Sequence, residues 1–303
     1  MKKWFAGISA LVLAGALSLG VASGLVSAQE ASQFDGESVS IGVASDYEQD
    51  VWEVVVDQAA EEGIDIEIVL FTDYVQPNMA LQDGSTDLNA FQHVAFLNEW
   101  NAENDGDLVP LGFTYVAPLR AYSDAIASLD ELEDGDTVAI PNDPTNGGRA
   151  LLALEQAGVI EVDDAAGILP TVSDITDNPK NIEIEELEAA QLPQVLPDVA
   201  VVFVNNNFAL DAGLTVEEAI FSDGDDIESL AADYKNIIAT RGDEVANELY
   251  KYIVSLYQSE AVEAKLAEVS EGADLPAWTE DDAYPLDLTD EANDTEETED
   301  DSE

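Results

Sequence analysis

The sequence predicts an α/β protein, in which strands and amphipathic helices alternate along one folded stretch from residue 38 to residue 278. Short runs rich in Val and Ile are followed by segments whose apolar residues recur at helical spacing. This order is typical of mostly parallel sheets with helical connections. Apolar residues make up 46% of the 303-residue chain, so it can bury a large core, and its length allows two lobes.

The individual elements follow from β-branched runs for strands and from 3.6-residue periodicity for helices. In residues 46–62, for example, apolar side chains recur at Val51, Val55 and Ala59 before Gly63 ends the helix. The predicted strands are residues 38–44, 64–71, 137–141, 199–205 and 236–240, and the predicted helices are residues 46–62, 74–82, 92–101, 145–156 and 244–269.

The two ends of the chain are predicted to lie outside the fold. Residues 1–28 have the pattern of a secretory signal peptide, with Lys2 and Lys3 before an apolar stretch and small residues at a cleavage site. An uncleaved membrane anchor is the alternative. Residues 29–37 would form a short linker. In the tail, residues 279–303, nine of the last fourteen residues are acidic, which predicts a disordered, solvated segment.

The formal charge of the chain is −57, from 66 acidic and 9 basic residues. A field this negative repels phosphate backbones and anionic lipid, and it therefore argues against binding of nucleic acid or membrane surfaces. It favours a protein adapted to high salt, where self-repulsion is screened; an ordinary acidic protein with an acidic tail is the alternative. The chain has no Cys and one His, which excludes disulfides and thiolate sites and argues against a metal site.

Two candidate segments carry aromatic side chains next to predicted strand ends. Tyr74 follows the strand at residues 64–71, and Phe91, His93 and Phe96 lie where the next strand turns into a helix. In open α/β sheets ligands bind beyond the carboxyl ends of strands, where such rings can form the wall of a pocket. A structural turn and a structural His are the alternatives for these segments.

A third segment, PNDPTNGGRA at residues 141–150, suits an anion. It follows a strand and opens a helix that Thr145 or Asn146 can cap. The two glycines after Asn146 would let a ligand approach the backbone amides at the positive end of the helix. Arg149 then adds a guanidinium suited to a carboxylate. A surface salt bridge made by Arg149 is the alternative.

Asparagines provide the remaining candidate positions. Three consecutive Asn, residues 205–207, follow a buried strand, and Asn236 starts another. Their amides can donate and accept hydrogen bonds, and turn formation is the alternative. The sequence has none of the motifs GxSxG, HExxH and GxGxxG and no EF-hand loop. Acidic residues are too many to single out a catalytic pair, so nothing in the sequence argues for an enzyme or a cofactor.

Five separated motifs of this chain together resemble one family. In chain order they are FTDYVQPN, NAFQHVAFL, VAIPNDPTNGGRALLALEQAG, NPKNIEIEELEAAQLP and VNNNFALDAGL. Their order and spacing are similar to those of the methionine-binding lipoproteins of ABC importers, the NlpA lipoprotein family, over residues 38–278. The resemblance implies the periplasmic-binding-protein fold, with two α/β lobes that are joined by hinge strands and close on a ligand. The implied lobes are residues 38–119 plus 236–278 and residues 120–235.

For the polar end of the ligand, the resemblance implies three binding residues. Arg149 would hold the α-carboxylate of methionine, and Asn205 and Asn236 would bind its amino and carboxylate groups. Asn146 and Asn207 would be further neighbours of the ligand. These roles suit an amino acid, because a zwitterion needs a cation and oriented amides at one end.

For the side chain of the ligand, the resemblance implies a pocket of Tyr74, Phe91 and His93. Phe96 stands where the family usually has Tyr, which removes one hydroxyl beside the thioether. Contacts between sulfur and aromatic rings contribute about 0.3–1.5 kcal/mol each, so a pocket of rings suits methionine.

The function implied by the resemblance is that of an extracytoplasmic solute-binding protein, which delivers L-methionine to a membrane permease powered by an ATPase. We expect a periplasmic monomer that is no enzyme and needs no cofactor. Because the sequence has no Cys, it departs from the lipid attachment that the family name implies, and an uncleaved signal could hold it at the membrane instead. The alternatives are a receptor for D-methionine, a related amino acid or a short Met-containing peptide, a surface protein without transport, and an enzyme on the same fold.

Overall fold

The computed structural model describes residues 33–224 and 232–279, together with Asp282 and Leu286. The predicted signal peptide, residues 1–28, lies outside these residues, and so does most of the predicted acidic tail. No helix in the described part of the chain is long and apolar enough to cross a lipid bilayer.

Strands and helices alternate along the described chain. Up to residue 116 the elements are β1 (Ser38–Val43), α1 (Asp46–Glu61), β2 (Asp65–Leu70), α2 (Gln76–Gln82), β3 (Leu88–His93), α3 (Val94–Asn104), β4 (Leu108–Phe113) and β5 (Tyr115–Val116). From residue 120 to residue 222 they are β6 (Arg120–Tyr122), β7 (Thr137–Pro141), α4 (Pro144–Gln156), β8 (Glu161–Val162), β9 (Ile175–Asp177), β10 (Glu183–Leu187), α5 (Leu192–Val195), β11 (Val201–Val204), α6 (Asn206–Asp211) and β12 (Phe221–Ser222). The last elements are β13 (Asn236–Arg241), α7 (Glu248–Tyr257), α8 (Glu260–Val269) and β14 (Leu275–Pro276).

Most of these strands belong to two five-stranded sheets. The first sheet has the order β2-β1-β3-β13-β4, and the second has the order β10-β7-β11-β6-β12. The chain passes from the first sheet to the second after β4, and it returns to the first sheet with β13. Each sheet therefore draws its strands from a different part of the sequence, with β13 as the late addition to the first.

Both sheets are mixed, so the prediction of mostly parallel sheets is wrong. β1 pairs in parallel with β2 and β3, but β13 lies antiparallel to β3 and β4. In the second sheet β7 pairs in parallel with β10 and β11, whereas β6 is antiparallel to β11 and β12. β6 and β13 are the first strands after each passage between the sheets. Their directions are therefore not set by a helical crossover within one sheet, which is the connection that parallel neighbours need.

Two helix predictions differ from the structure. β3 runs as far as His93, so the predicted helix 92–101 begins two residues later than expected. The predicted helix 244–269 is two helices, α7 and α8, because the side chain of Ser259 caps the start of α8. The ends of the other predicted elements are shifted by no more than two residues.

Each sheet has a buried core. α1 packs on the first sheet through Val51, Trp52 and Val55, which are at most 1% exposed. The Trp52 ring lies 4.8 Å from the ring of Tyr257 in α7. The second sheet packs against α4 in a separate cluster that includes the buried Phe203. Apolar burial stabilises by roughly 25 cal/mol per Å² removed from water, so these cores hold the strand ends between them in place.

Strand ends of both sheets meet between the two cores. β3 ends at His93 in the first sheet, while β7 ends at Pro141 before α4 and β11 ends at Val204 before α6. Helix α6 also contacts α1 of the first sheet, since the carboxylate of Asp211 accepts a hydrogen bond from the backbone N–H of Tyr47 at 3.0 Å. The candidate site lies at this junction.

Candidate functional site

A cavity lies at the junction of the two sheets. All nine residues that the sequence predicts for a ligand site contribute to its wall, although they come from five separate stretches of the chain. They are Tyr74, Phe91, His93, Phe96, Asn146, Arg149, Asn205, Asn207 and Asn236. A concave site that combines aromatic side chains with converging polar groups is typical of small-molecule binding. The individual binding roles of the nine residues stay predictions.

Arg149 lies in the second turn of α4, and its side chain is 6% exposed. Its Nε and Nη2 donate to the carboxylate of Asp223 at 2.5 and 3.2 Å, and Nη2 also donates to the carbonyl of Ala117 at 3.0 Å. The ring of Tyr234 covers the guanidinium at 4.4 Å. Among the described residues, no hydrogen bond uses Nη1 of Arg149. Its two N–H groups are therefore available to an anionic group in the cavity.

The ion pair between Arg149 and Asp223 bears on the alternative that Arg149 makes a surface salt bridge, while its binding of a carboxylate stays a prediction. The Asp223 side chain is 8% exposed, so the pair is buried beside the cavity and is not a surface salt bridge. Taking both charges out of water is costly, and the direct bonds between them offset that cost. A guanidinium held in this way is fixed in one orientation before any ligand arrives.

A chain of hydrogen bonds orients the amides next to Arg149. Asn146 Nδ2 donates to the carboxylate of Asp143 at 3.0 and 3.1 Å, so Oδ1 of Asn146 points the other way. There it accepts from Asn205 Nδ2 at 2.8 Å. Oδ1 of Asn205 is consequently left buried, with no hydrogen-bond partner in the described part of the chain. A buried polar group without a partner costs about 1–3 kcal/mol, which an N–H donor on a ligand would recover.

His93 is neutral in these surroundings. The backbone N–H of Phe96 donates to Nδ1 at 3.1 Å, so we assign the proton to Nε2, which lies 3.2 Å from Oδ1 of Asn146 and donates to it. Burial, and then the nearby guanidinium of Arg149, lower the pKa of His93 to about 3. Because both ring nitrogens have protein partners, the ring can contact a ligand only through its carbon atoms.

Aromatic rings form the other end of the cavity. Tyr74, Phe91 and Phe96 contact one another in tilted or edge-to-face pairs, with ring centroids 5.7–5.9 Å apart. The hydroxyl of Tyr74 donates to Oδ1 of Asn207 at 2.6 Å, so it is directed at the protein. What remains for a ligand is an apolar, polarizable wall, which suits an aliphatic or thioether side chain.

The cap of α4 differs from the prediction. Asp143 is the N-cap residue, and its Oδ1 accepts from the backbone N–H of Asn146 at 2.8 Å. Thr145 and Asn146, the predicted caps, lie inside the first turn, where Thr145 Oγ1 also donates to Asp143 at 2.9 Å. A carboxylate is favourable at the positive end of a helix. The same carboxylate anchors the amide of Asn146, so the cap and the cavity share one residue.

The two glycines of α4 have a packing role, and neither is among the residues of the cavity wall. That a ligand approaches their backbone amides stays a prediction. A Cβ atom on Gly147 would lie 2.7 Å from the carbonyl oxygen of Pro141, and one on Gly148 would lie 3.2 Å from that of Ile168. A Cβ atom on Gly147 would therefore need a shift of the backbone, while one on Gly148 would need its neighbours to give by a few tenths of an ångström. Glycine suits both positions because the helix packs closely on neighbouring backbone.

The cavity wall also contains residues that the sequence did not single out. They are Gln92, Tyr115, Ala117, Pro118 and Leu119, and the wall also contains Asn206 from the run of three Asn that the sequence offered. Asp223 and Tyr234, which hold Arg149, were missed as well. Asp223 is one of 66 acidic residues, so composition gives no signal for it. Tyr234 lies two residues before Asn236, and that proximity to a predicted residue is a weak signal.

Known proteins resemble this chain over most of its length. The family model described as NlpA lipoprotein matches residues 39–278. A relative from Escherichia coli (strain K12), named D-methionine-binding lipoprotein MetQ, is 42% identical over 279 residues, which cover 91% of this chain and 98% of the relative. Sequence similarity of this extent includes every stretch that contributes to the cavity.

Solved structures resemble the chain too. One is a nutrient binding protein from Burkholderia cenocepacia bound to methionine, with 39% identity, coverage of 79% of this chain and 100% of that chain, and a TM-score of 0.75. Another is the substrate binding protein of a methionine transporter from Streptococcus pneumoniae, with 36% identity, coverage of 80% and 96%, and a TM-score of 0.75. The predicted periplasmic-binding-protein fold is confirmed by these likenesses.

Proposed function

Since the chain belongs to the NlpA lipoprotein family, we propose that it is an extracytoplasmic solute-binding protein of an ABC importer and that methionine binds in its cavity. The relatives support this proposal, because one is named as D-methionine-binding and another is described as bound to methionine. A further one is described as the substrate binding protein of a methionine transporter. We propose that this chain likewise binds its ligand without converting it and passes it to a permease driven by an ATPase.

One observation carries the proposal: the cavity has unpaired groups of both polarities at one end and aromatic rings at the other. Nη1 of Arg149 offers donors, and Oδ1 of Asn205 is an acceptor without a partner in the described residues. An α-amino acid carries a carboxylate and an ammonium on one carbon, so it can satisfy both groups at once. Hydrogen bonds to charged groups contribute about 1.5–3 kcal/mol each.

The side chain of the ligand would lie against the rings of Tyr74, Phe91 and Phe96. Sulfur–aromatic contacts of about 0.3–1.5 kcal/mol each favour a thioether there. We propose that His93 and Asn236, which pair across β3 and β13, form the floor between the two ends. Asn146 and Asn207 would act on the ligand mainly through their partners, because Asn146 orients the Asn205 amide and Asn207 holds the Tyr74 hydroxyl.

Closure of two lobes would enclose the ligand. We propose lobe boundaries at residues 38–119 plus 236–278 and at residues 120–235, so that each five-stranded sheet lies in one lobe. The hydrogen bond between Asp211 of α6 and Tyr47 of α1 would then join the lobes near the cavity. The chain between β4 and β6, which passes from the first sheet to the second, would act as a hinge. Such a closed cleft removes water from both ends of the ligand, which strengthens the charge-assisted bonds.

We propose that the protein works in the periplasm as a monomer. The predicted signal peptide, residues 1–28, would export it. The relatives are named as lipoproteins, but this sequence contains no Cys to which a lipid could be attached. The protein would then carry its ligand to the permease by diffusing in solution on the outer side of the inner membrane.

The acidic composition would suit a compartment with high salt. We propose that the charge of −57 keeps the protein soluble where the Debye length falls to about 3 Å near 1 M salt and self-repulsion is screened. Thermal melting at low and high KCl tests this, and a higher melting temperature at high KCl is expected. Equal or greater stability at low salt would contradict it.

Isothermal titration calorimetry against a panel of amino acids tests the proposed function. The protein is first unfolded and refolded, which removes any ligand retained from expression. A dissociation constant for methionine of micromolar or tighter, about −8 kcal/mol, is expected. The proposal fails if the refolded protein binds neither methionine nor a Met-containing dipeptide, and turnover of any ligand would favour an enzyme.

D-Methionine is the second candidate ligand, because the E. coli relative is named for that enantiomer. The L and D forms differ in which direction the side chain leaves the carbon that carries both charged groups. Arg149 and Asn205 would bind those groups in either case, so the enantiomers are separated by the fit of the side chain to the rings. Titrations with each enantiomer alone decide which one the site prefers.

A further inference from the structure

The charge of Arg149 is already matched inside the protein. The carboxylate of Asp223 accepts two of its hydrogen bonds, and this carboxylate is itself fixed by the backbone N–H of Leu119, which donates to Oδ1 at 2.8 Å. Asp223 lies behind the guanidinium and is not part of the cavity wall. A ligand therefore meets Arg149 as one half of an ion pair, with only the Nη1 side turned toward it.

The other titratable groups near the cavity do not change this balance in favour of anions. A second buried cation, Arg120, donates to Oδ1 of Asn206 in the cavity wall, and Nδ2 of the same Asn206 donates to the carboxylate of Asp274, so this cation also has an acid beside it. Burial raises the pKa of Glu48, which contacts the wall residues Tyr115 and Asn207, to about 8. His93 is neutral, because burial and Arg149 lower its pKa to about 3. Asp143 lies one residue before α4 and accepts a hydrogen bond from Asn146 of the cavity wall. A carboxyl group is either neutral or negative, so Asp143 adds no positive charge. The groups closest to the ligand site thus have no positive excess, and the rest of the chain is strongly acidic.

Such a site distinguishes ligands by net charge. A zwitterion brings a carboxylate for Arg149 and an ammonium for Oδ1 of Asn205, and its two charges cancel. A monoanion of the same shape brings an uncompensated negative charge into a buried place, and burial of an unpaired charge is unfavourable. A monocation lacks the partner for Nη1 of Arg149.

We propose that Asp223 determines ligand specificity: by neutralising Arg149 from behind, it makes the cavity accept the net-neutral amino acid and reject the monoanion that lacks the ammonium. This inference rests on the proposed function, since it takes methionine as the ligand. Asp223 acts as a positioning residue that does not touch the ligand. The donors of Arg149 alone would attract any carboxylate. The discrimination between the zwitterion and the monoanion therefore comes from the ion pair of Arg149 with Asp223.

The test compares three ligands by calorimetry: methionine, 4-(methylthio)butanoate as the monoanion without ammonium, and methioninamide as the monocation. The variant Asp223→Asn keeps an oxygen for Leu119 but removes the negative charge. We expect its affinity for the monoanion, relative to that for methionine, to rise about tenfold or more over wild type, since one unit charge is removed near the site. The relative affinity for methioninamide should fall. If Asp223 had a merely structural role, Asp223→Asn would lower the affinity for all three ligands together.

Two further variants serve as controls. Asp223→Glu keeps the negative charge, and the order of its affinities for the three ligands should be that of wild type. Glu217→Gln makes the same change in net charge at an exposed position of the second half of the chain and should leave the order unchanged. Thermal melting of each variant checks that it is folded.

The outcomes separate the inference from the proposed function. Wild-type protein that binds methionine, with relative affinities unchanged in Asp223→Asn, contradicts the inference and leaves the function standing. If Asp223→Asn does not fold, wild type alone still decides: binding of the monoanion as tightly as methionine overturns the inference. Wild type that binds none of the three ligands overturns the proposed function and the inference together.

Discussion

The two ends of the cavity are built in different ways. At the polar end each group is fixed by a partner: Asp223 fixes Arg149, and Asp143 fixes Asn146, which in turn fixes Asn205. At the aromatic end three rings touch one another at centroid distances of 5.7–5.9 Å, and only dispersion and sulfur contacts are available to a ligand. The polar end therefore sets which charged groups a ligand must have and how they are oriented. The aromatic end sets the shape and the polarizability of the ligand side chain.

This difference predicts how substitutions act. A change at the polar end removes a directional bond to a charged group and leaves its former partner buried and unpaired, so two costs add. A change at the aromatic end removes part of a contact surface that neighbouring rings can partly refill. Affinity should therefore fall more steeply at the polar end, and selectivity among side chains should change at the aromatic end.

The largest effect is expected for Arg149→Ala. This change removes the donors for the ligand carboxylate and leaves the carboxylate of Asp223 without its cation, so that two negative groups oppose each other. Affinity for methionine should fall at least about 100-fold in calorimetry. Lys251→Ala, which breaks a largely exposed pair with Glu248, is the control and should bind as wild type does. A change of less than threefold in Arg149→Ala would refute the role in carboxylate binding.

Next in size is Asn205→Ala, which removes the acceptor aimed at the ligand ammonium. The loss should be about 20-fold, since one hydrogen bond to a charged group is removed. Asn104→Ala, at an exposed position near the end of α3, provides a matched Asn control with no expected effect. If Asn205→Ala binds methionine and its desamino analogue with unchanged relative affinity, the ammonium has another acceptor.

A smaller effect is expected for Phe91→Leu, at the aromatic end. Affinity for methionine should fall about fivefold, because one sulfur–aromatic contact is removed while apolar surface is kept. Titration with norleucine, which has a methylene in place of the sulfur, provides the control. The preference for methionine over norleucine should shrink in the variant, and an unchanged preference would show that Phe91 does not contact the thioether.

The substitution Phe96→Tyr introduces the hydroxyl that the family resemblance implies at this position, and its effect should be less than about threefold. Phe96 is only partly buried, so a hydroxyl there can stay hydrated, and a neutral hydrogen bond contributes only about 0.5–1.5 kcal/mol net. Calorimetry with methionine measures the difference. A gain of tenfold or more would mean that the lost hydroxyl binds the ligand directly.

No titration of His93 is expected between pH 5 and pH 8. It is the single His of the chain, so the NMR signal of its Cε1–H in untagged protein reports on it alone. With a pKa of about 3 in the folded protein and about 6.5 in the unfolded chain, the unfolded state binds more protons between these values. Stability from this group should therefore fall as pH drops below 6.5, by up to about 1.4 kcal/mol per pH unit. A midpoint near 6.5 would contradict the buried, neutral state.

Much of the cavity wall was predictable because its residues follow strand ends. Tyr74 and Asn205 follow β2 and β11, and Arg149 lies in the second turn of the helix that follows β7. The carboxyl ends of such strands are where α/β folds bind ligands. The family resemblance then placed all nine residues on one site, and the cavity brings them together. Local pattern and motif order suffice where the determining contacts lie within a few residues in sequence.

What could not be predicted depends on contacts that are distant in sequence. Asp223 reaches Arg149 across 74 residues, and nothing local marks it among so many acids. The packing role of Gly147 required the position of Pro141 in three dimensions. The strand directions of β6 and β13 depend on the two passages between the sheets, which hydrophobic periodicity does not reveal.

A crystal structure of the refolded protein with methionine tests the two-ended cavity most directly. We predict the α-carboxylate within hydrogen-bond distance of Nη1 of Arg149, the ammonium at Oδ1 of Asn205, and the thioether against the rings of Phe91 and Phe96. The ion pair between Arg149 and Asp223 should be retained in the complex. Methionine bound with its thioether toward Arg149, or bound outside this cavity, would contradict the account.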